Sequence, residues 1–222
     1  MCFSTTASFA AGTLLTTIGA LCLSKTENKS EIMFASIPIV FGLQQFSEGL
    51  VWLSLTNSVN FLSQQVFAHA FLCFALVIWP SWVPLAFLFL EKNLKRKKIL
   101  RIISALGLLF SMASIYYLIA FHSRAQIAFY HIHYDLEISN KILLIAGSFY
   151  LIPTIASHFI SSVKLVPVMG FLVLLSHIIS RIFFKETLLS VWCFFAAIIS
   201  IMIYYILIRK PSALKDKSYI PM

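Results

Sequence analysis

The chain alternates between long apolar runs and short polar connections. Seven runs reach the length of about 20 residues that a helix needs to cross a bilayer. They are Ala7–Leu23, Ile32–Leu53, Gln65–Leu90, Ile99–Phe121, Asn140–Ile160, Leu165–Ile182 and Thr187–Ile208. Most connections between them are a few residues long, which predicts an up-and-down bundle. His122–Ser139 is the one connection of any size, and only Ser161–Lys164 separates the fifth run from the sixth. The pattern predicts an all-α fold: one seven-helix transmembrane domain over residues 1–208 and a short polar tail over 209–222. Ala7–Leu23 has no basic stretch before it and no small-residue cleavage site after it, so it reads as a retained span rather than a signal peptide.

Composition agrees with this pattern. The chain is 60% hydrophobic and 11% charged. Soluble domains carry about 25% charged residues. The net charge of +9 would suit nucleic acid, but the placement of the cations excludes that reading. With the N-terminus outside, the inner segments hold Lys25 and Lys29, then Lys92, Lys95, Arg96, Lys97, Lys98 and Arg101, then Lys164, and last Arg209, Lys210, Lys215 and Lys217. Only Arg124, Lys141, Arg181 and Lys185 of the 17 cations fall outside. Cytoplasmic loops carry such an excess of Lys and Arg. The bias predicts an outside N-terminus, a cytoplasmic C-terminus and a basic loop against anionic headgroups. Cys2, Cys22, Cys73 and Cys193 have no paired spacing, so neither a disulfide framework nor a thiolate cluster is indicated.

Chemistry enters with the second run. Phe41-Gly-Leu-Gln-Gln-Phe-Ser-Glu-Gly-Leu-Val-Trp52 places Gln44, Gln45 and Glu48 inside hydrocarbon-length sequence. A carboxylate there is costly and faces the bundle interior or a wet cavity. Gln44, Glu48 and Trp52 share a helix face, with Gln45 beside Glu48. Counted from the outer side, Glu48, His69 and His177 lie at one depth, roughly 6–8 Å below the boundary at 1.5 Å per residue. Arg181 stands one turn above His177. These six residues (Gln44, Gln45, Glu48, His69, His177 and Arg181) form the candidate substrate or ion site. Plainer readings remain open: Glu48 and His69 bonded to each other as packing residues, and Arg181 snorkelling outward. His158 reads as a headgroup-level residue near the inner end of its span.

In the outer connection, His131, His133, Asp135 and Glu137 alternate, so an extended backbone puts them on one face. That face could cap the cavity or bind a cation, against the plainer reading of a solvated loop. Trp79-Pro-Ser-Trp-Val-Pro84 predicts a kink or break in the third span, read as a shape feature or as a hinge.

Two motifs carry a resemblance. Met1-Cys-Phe-Ser-Thr-Thr-Ala-Ser-Phe9 and the Phe41–Trp52 stretch resemble a family of small bacterial membrane proteins of unknown function, which begin MCFSxxASF and carry FGLQQxxEGxVW. The resemblance implies that Cys2, Ser4, Gln44, Gln45 and Glu48 belong to a shared pattern, in a bacterial inner membrane. It puts Cys2 at the outer mouth as a candidate metal ligand. The first functional reading is transport or sensing of a small solute or ion. The second is a membrane-embedded metal-dependent hydrolase, with a divalent metal such as zinc on His69, His177 and His131 or His133. No His-x-x-x-His spacing supports that second reading. The partners expected are the bilayer, a small ligand or ion and, as an open alternative, further copies of the chain; nucleic acid is not among them. Reporter fusions should place Glu91–Lys98 and the tail in the cytoplasm and His122–Ser139 outside; the reverse placement would invert every depth above.

Overall fold

A computed structural model describes residues 4–57, 60–192 and 195–209. Its helices are α1 (Thr5–Ser24), α2 (Ile32–Ala35), α3 (Ile37–Thr56), α4 (Phe61–Leu72), α5 (Trp79–Leu90), α6 (Leu94–Ala120), α7 (Asn140–Leu151), α8 (Ser157–Ile160), α9 (Val166–Phe183), α10 (Leu188–Trp192) and α11 (Ala196–Ile208). Among the described residues, five helical stretches are long and apolar enough to cross a membrane: Thr5–Ser24, Phe61–Leu90, Leu94–Ala120, Lys141–Ile160 and Val166–Phe183. The chain is an integral membrane protein by this measure.

Helix α3 is central. It packs against α1, α4 and α11. Its contact with α1 is antiparallel and close, because small residues face each other. A Cβ on Gly42 would collide with Thr16 Oγ1 and would lie 2.9 Å from the Gly12 carbonyl oxygen. Small residues allow such approach where lipid tails offer no hydrophobic drive between helices.

Phe61–Leu90 continues as one helical stretch through a π-helical turn, Cys73–Ile78, just before Pro80. The predicted distortion therefore precedes the prolines. It frees backbone carbonyls, which neighbours then meet. Ser111 Oγ donates to the Val77 carbonyl at 2.6 Å. Pro84 cannot donate to the Pro80 carbonyl, and Gly107 of α6 packs on that oxygen. A second π-helical turn, Ile152–Ala156, carries Pro153 and joins α7 to α8. Thr154 Oγ1 donates back to the Tyr150 carbonyl at 2.7 Å.

The all-α expectation omits one element. Ser123–Ala128 and His131–Leu136 form an antiparallel hairpin, β1 and β2, within the large connection. The segment is ordered for a physical reason: its polar alternates Asp135 and Glu137 stay exposed, while the apolar alternates have a place to go. Ile132 and Tyr134 are buried against a cluster that includes Val51, Trp52 and Phe71. Tyr134 stacks on Phe71 with ring centroids 4.6 Å apart. The hairpin thus covers the ends of α3 and α4 that lie near Trp52.

The seventh run holds α10 and α11. Gly107→Ala tests the close approach between α5 and α6. Its methyl would strike backbone, so unfolding should cost roughly 1–3 kcal/mol less, read as a lower Tm in detergent with unchanged helical content.

Candidate functional site

The buried stripe on α3 is real and has partners. Glu48 has no exposed surface, and Gln45 and Gln44 are 1% and 2% exposed. Gln45 Nε2 donates to Glu48 Oε2 at 3.3 Å, the i, i+3 pair expected on one helix. The stronger bond comes from far along the chain: Ser190 Oγ of α10 donates to Glu48 Oε1 at 2.6 Å. Hydrogen bonds to a charged group are short and carry more energy than neutral ones. Nothing in the sequence separates Ser190 from the many other serines of the spans, so only the fold could find it.

Gln44 faces a different neighbour. Its Oε1 accepts from Trp79 Nε1 at 2.6 Å, and the Trp79 ring lies against Phe41 with centroids 3.9 Å apart. The π-helical turn before Trp79 helps deliver this indole to α3. On the other side of α10, Trp192 Nε1 donates to Ser176 Oγ at 2.9 Å. The His177 ring lies 4.9 Å from Trp192. α10 therefore touches Glu48 through Ser190 and the His177 region through Trp192.

The remaining candidates are not assembled with them. His69 Nδ1 donates to the Gln65 carbonyl of its own helix at 2.7 Å. That bond, rather than one to Glu48, orients its ring. Arg181 is exposed. His131 is buried in the hairpin, with its ring 5.1 Å from Phe184; burial lowers its pKa below the usual histidine value. His133 Nδ1 donates to the Glu186 carbonyl at 2.6 Å and ties the hairpin to the segment before α10. Asp135 and Glu137 are exposed. Cys2 and Cys193 lie outside the described residues. Among the described residues, no three His, Cys, Asp or Glu side chains are grouped to hold a metal ion.

Two residues matter more than their sequence positions suggested. His158 is buried at 4% exposure, because α9 closes over it where Gly170 leaves room. Glu91, just past α5, is 1% exposed. Its Oε2 accepts from the Ser162 backbone N–H at 2.6 Å. Its Oε1 accepts from Ser162 Oγ at 2.7 Å and from the Asn93 N–H at 2.8 Å. Arg96 Nη1 adds a bond to the Ser161 carbonyl at 2.9 Å. Together they clasp the α5–α6 turn to the α8–α9 turn.

A helical membrane protein with a buried carboxylate, held by an amide and a hydroxyl, is the class these features define. The chain belongs to a family of unknown function, DUF6629, whose model matches residues 1–218. No curated protein and no solved structure matches it.

Burial alone would raise the Glu91 pKa, but the hydrogen bonds from Ser162, Asn93 and Lys92 outweigh it and hold the carboxyl below its usual value. A depressed carboxylate stabilises fully above the unfolded pKa near 4.5 and loses that contribution as pH falls through the folded value. Glu91→Gln should therefore lower Tm at neutral pH and flatten the fall in Tm expected below about pH 4.5; a variant with the wild-type acid limb would remove Glu91 as its cause.

Proposed function

We propose that the chain is a seven-span membrane protein, with its N-terminus outside and C-terminus in the cytoplasm, that transports or senses a small solute or ion through Glu48. α3 adds a second span whose polar stripe dilutes its hydropathy. α10 and α11 together add a seventh. The placement of Lys and Arg supports the orientation.

One observation carries the functional reading: the 2.6 Å bond from Ser190 to the fully buried Glu48. A carboxylate within a span marks an ion or substrate path more often than a packing device. Here it is held by a residue of α10, far along the chain from α3. Protonation or cation binding at Glu48 would change its bond to Ser190 and so the position of α10. His177 lies beside Trp192 of α10 and Gln45 bonds Glu48, while His69 and Arg181 extend the path outward in this reading.

Glu48→Gln keeps the shape and removes the charge. The variant should remain folded, with a Tm within a few degrees of wild type, and lose the wild-type response of Tm to pH and to a panel of cations. A variant that melts far lower yet keeps each response would make Glu48 a packing residue and overturn the proposal.

A further inference from the structure

A cavity lies deeper in the bundle than Glu48, and the reading above does not use it. Its volume is about 70 Å³. A water needs roughly 10–15 Å³ of such space and about 30 Å³ of liquid volume, so the cavity has room for about five to seven waters or for one single-ring molecule of that total volume. Its walls are mainly apolar and aromatic, including Phe41, Trp79, Tyr150 and Trp192. A larger, wholly apolar cavity of about 150 Å³ stays dry and binds benzene.

Three polar side chains interrupt the apolar wall: Gln44, Thr154 and His158. Gln44 uses its Oε1 for Trp79, which leaves the amide N–H groups facing other uses. Thr154 donates to Tyr150, which leaves its oxygen able to accept. His158 is the telling member. It is 4% exposed, and its Nδ1 makes no hydrogen bond of acceptable geometry, although the Thr154 and Ile155 carbonyls lie near it. Buried polar groups without partners are rare in native structures and call for an explanation. A few convergent polar groups in an apolar pocket are the usual form of a small-molecule site.

The backbone around the cavity is unusual as well. Both π-helical turns border it, one through Ala75 and the other through Thr154. Single π turns inside helices recur at functional sites. The direction of access is also marked. Tyr150, near the inner end of α7, lines the cavity and is half-buried. Outward from it, none of the described α7 side chains is buried, and a Cβ on Gly147 would meet nothing within 4 Å. None of the described residues packs over that side of α7.

We propose that this cavity binds a small neutral aromatic molecule bearing a hydroxyl, a phenol-like ligand that reaches it from the lipid. The ring would lie among the indole and phenyl faces, which favour offset and edge contacts. The hydroxyl would donate to or accept from His158 and satisfy the buried imidazole. A charged ligand is excluded by the apolar wall, since an unpaired charge there would carry a large desolvation cost.

The test is ¹⁹F NMR of the full chain in lipid nanodiscs, titrated with 4-fluorophenol and, separately, with fluorobenzene. Wild type should show saturable binding of both probes above the linear partition into empty nanodiscs. Val173→Phe, which fills the cavity from α9, should abolish saturation for both. His158→Leu keeps the apolar body and should weaken 4-fluorophenol by roughly three- to tenfold, the worth of one hydrogen bond, and leave fluorobenzene unchanged. Linear partition alone in wild type would overturn the proposal. So would an equal loss of both probes in His158→Leu, because packing and not hydrogen bonding would then explain the effect. If Val173→Phe does not fold, the ratio of the two probes in His158→Leu still decides. None of these outcomes depends on Glu48, so failure here leaves the transport or sensing proposal standing.

Discussion

A carboxylate with no exposed surface must be met by donors, and in this protein that requirement joins distant parts of the chain. Glu48 draws Ser190 to 2.6 Å across 142 residues of sequence. An unmet carboxylate in the bundle would cost several kcal/mol. The bond therefore constrains where α10 can sit against α3. α10 in turn holds Trp192 against Ser176, so the α9 face is set from the same anchor. Closing the other side, α1 lies against α3 with small residues at the contact. The central position of α3 follows from having partners on nearly every face.

The same physical demand is solved differently at the basic end of the bundle. There the polar groups are backbone N–H groups left open at turns, not side chains in a span. Glu91 takes up four of these donors and hydroxyls across two turns. Glu31 does the same locally, accepting from the Glu27 N–H at 3.0 Å. Glu91 sits beside a cationic loop and accepts from neutral donors. Arg96 likewise spends a guanidinium N–H on the Ile160 and Ser161 carbonyls. Turns in a short-looped bundle thus become rigid, which lets the spans between them carry irregular backbone.

That irregularity is concentrated around the cavity. Each π-helical turn accompanies a proline, Pro80 or Pro153, and each leaves carbonyls that a hydroxyl or a glycine then meets. Non-regular backbone at membrane depth is tolerated only where such partners exist. The turns also rotate side chains off the regular helical positions. Trp79 reaches Gln44 and Thr154 joins the cavity wall for this reason.

Hydropathy and charge, read along the chain, determined where the helices run, and the helical stretches found match those runs to within a few residues at most ends. They also marked Gln44, Gln45 and Glu48 as inward-facing, because a polar triad at helical spacing inside an apolar run has nowhere else to point. The proline distortion was legible too, although not its π-helical form. What the chain could not reveal was partnership. Ser190 is one serine among many, and its role exists only because α10 lies beside α3. Glu91 and Ser162 are each ordinary turn residues until two turns meet. His69 was expected beside Glu48 from depth alone, but depth says nothing about rotation, and its ring instead bonds its own helix. The hairpin was hidden in a stretch whose polar residues alternate, since the apolar alternates Ile132 and Tyr134 gain their meaning only from Phe71 and Trp52 beneath them. His158 shows the same limit from the other direction. Its place near a span end says nothing of its burial, which the close approach of Gly170 decides. Periodicity and transfer energy act along one chain and are written in sequence; a hydrogen bond between helices depends on how they rotate and stop, which packing alone decides.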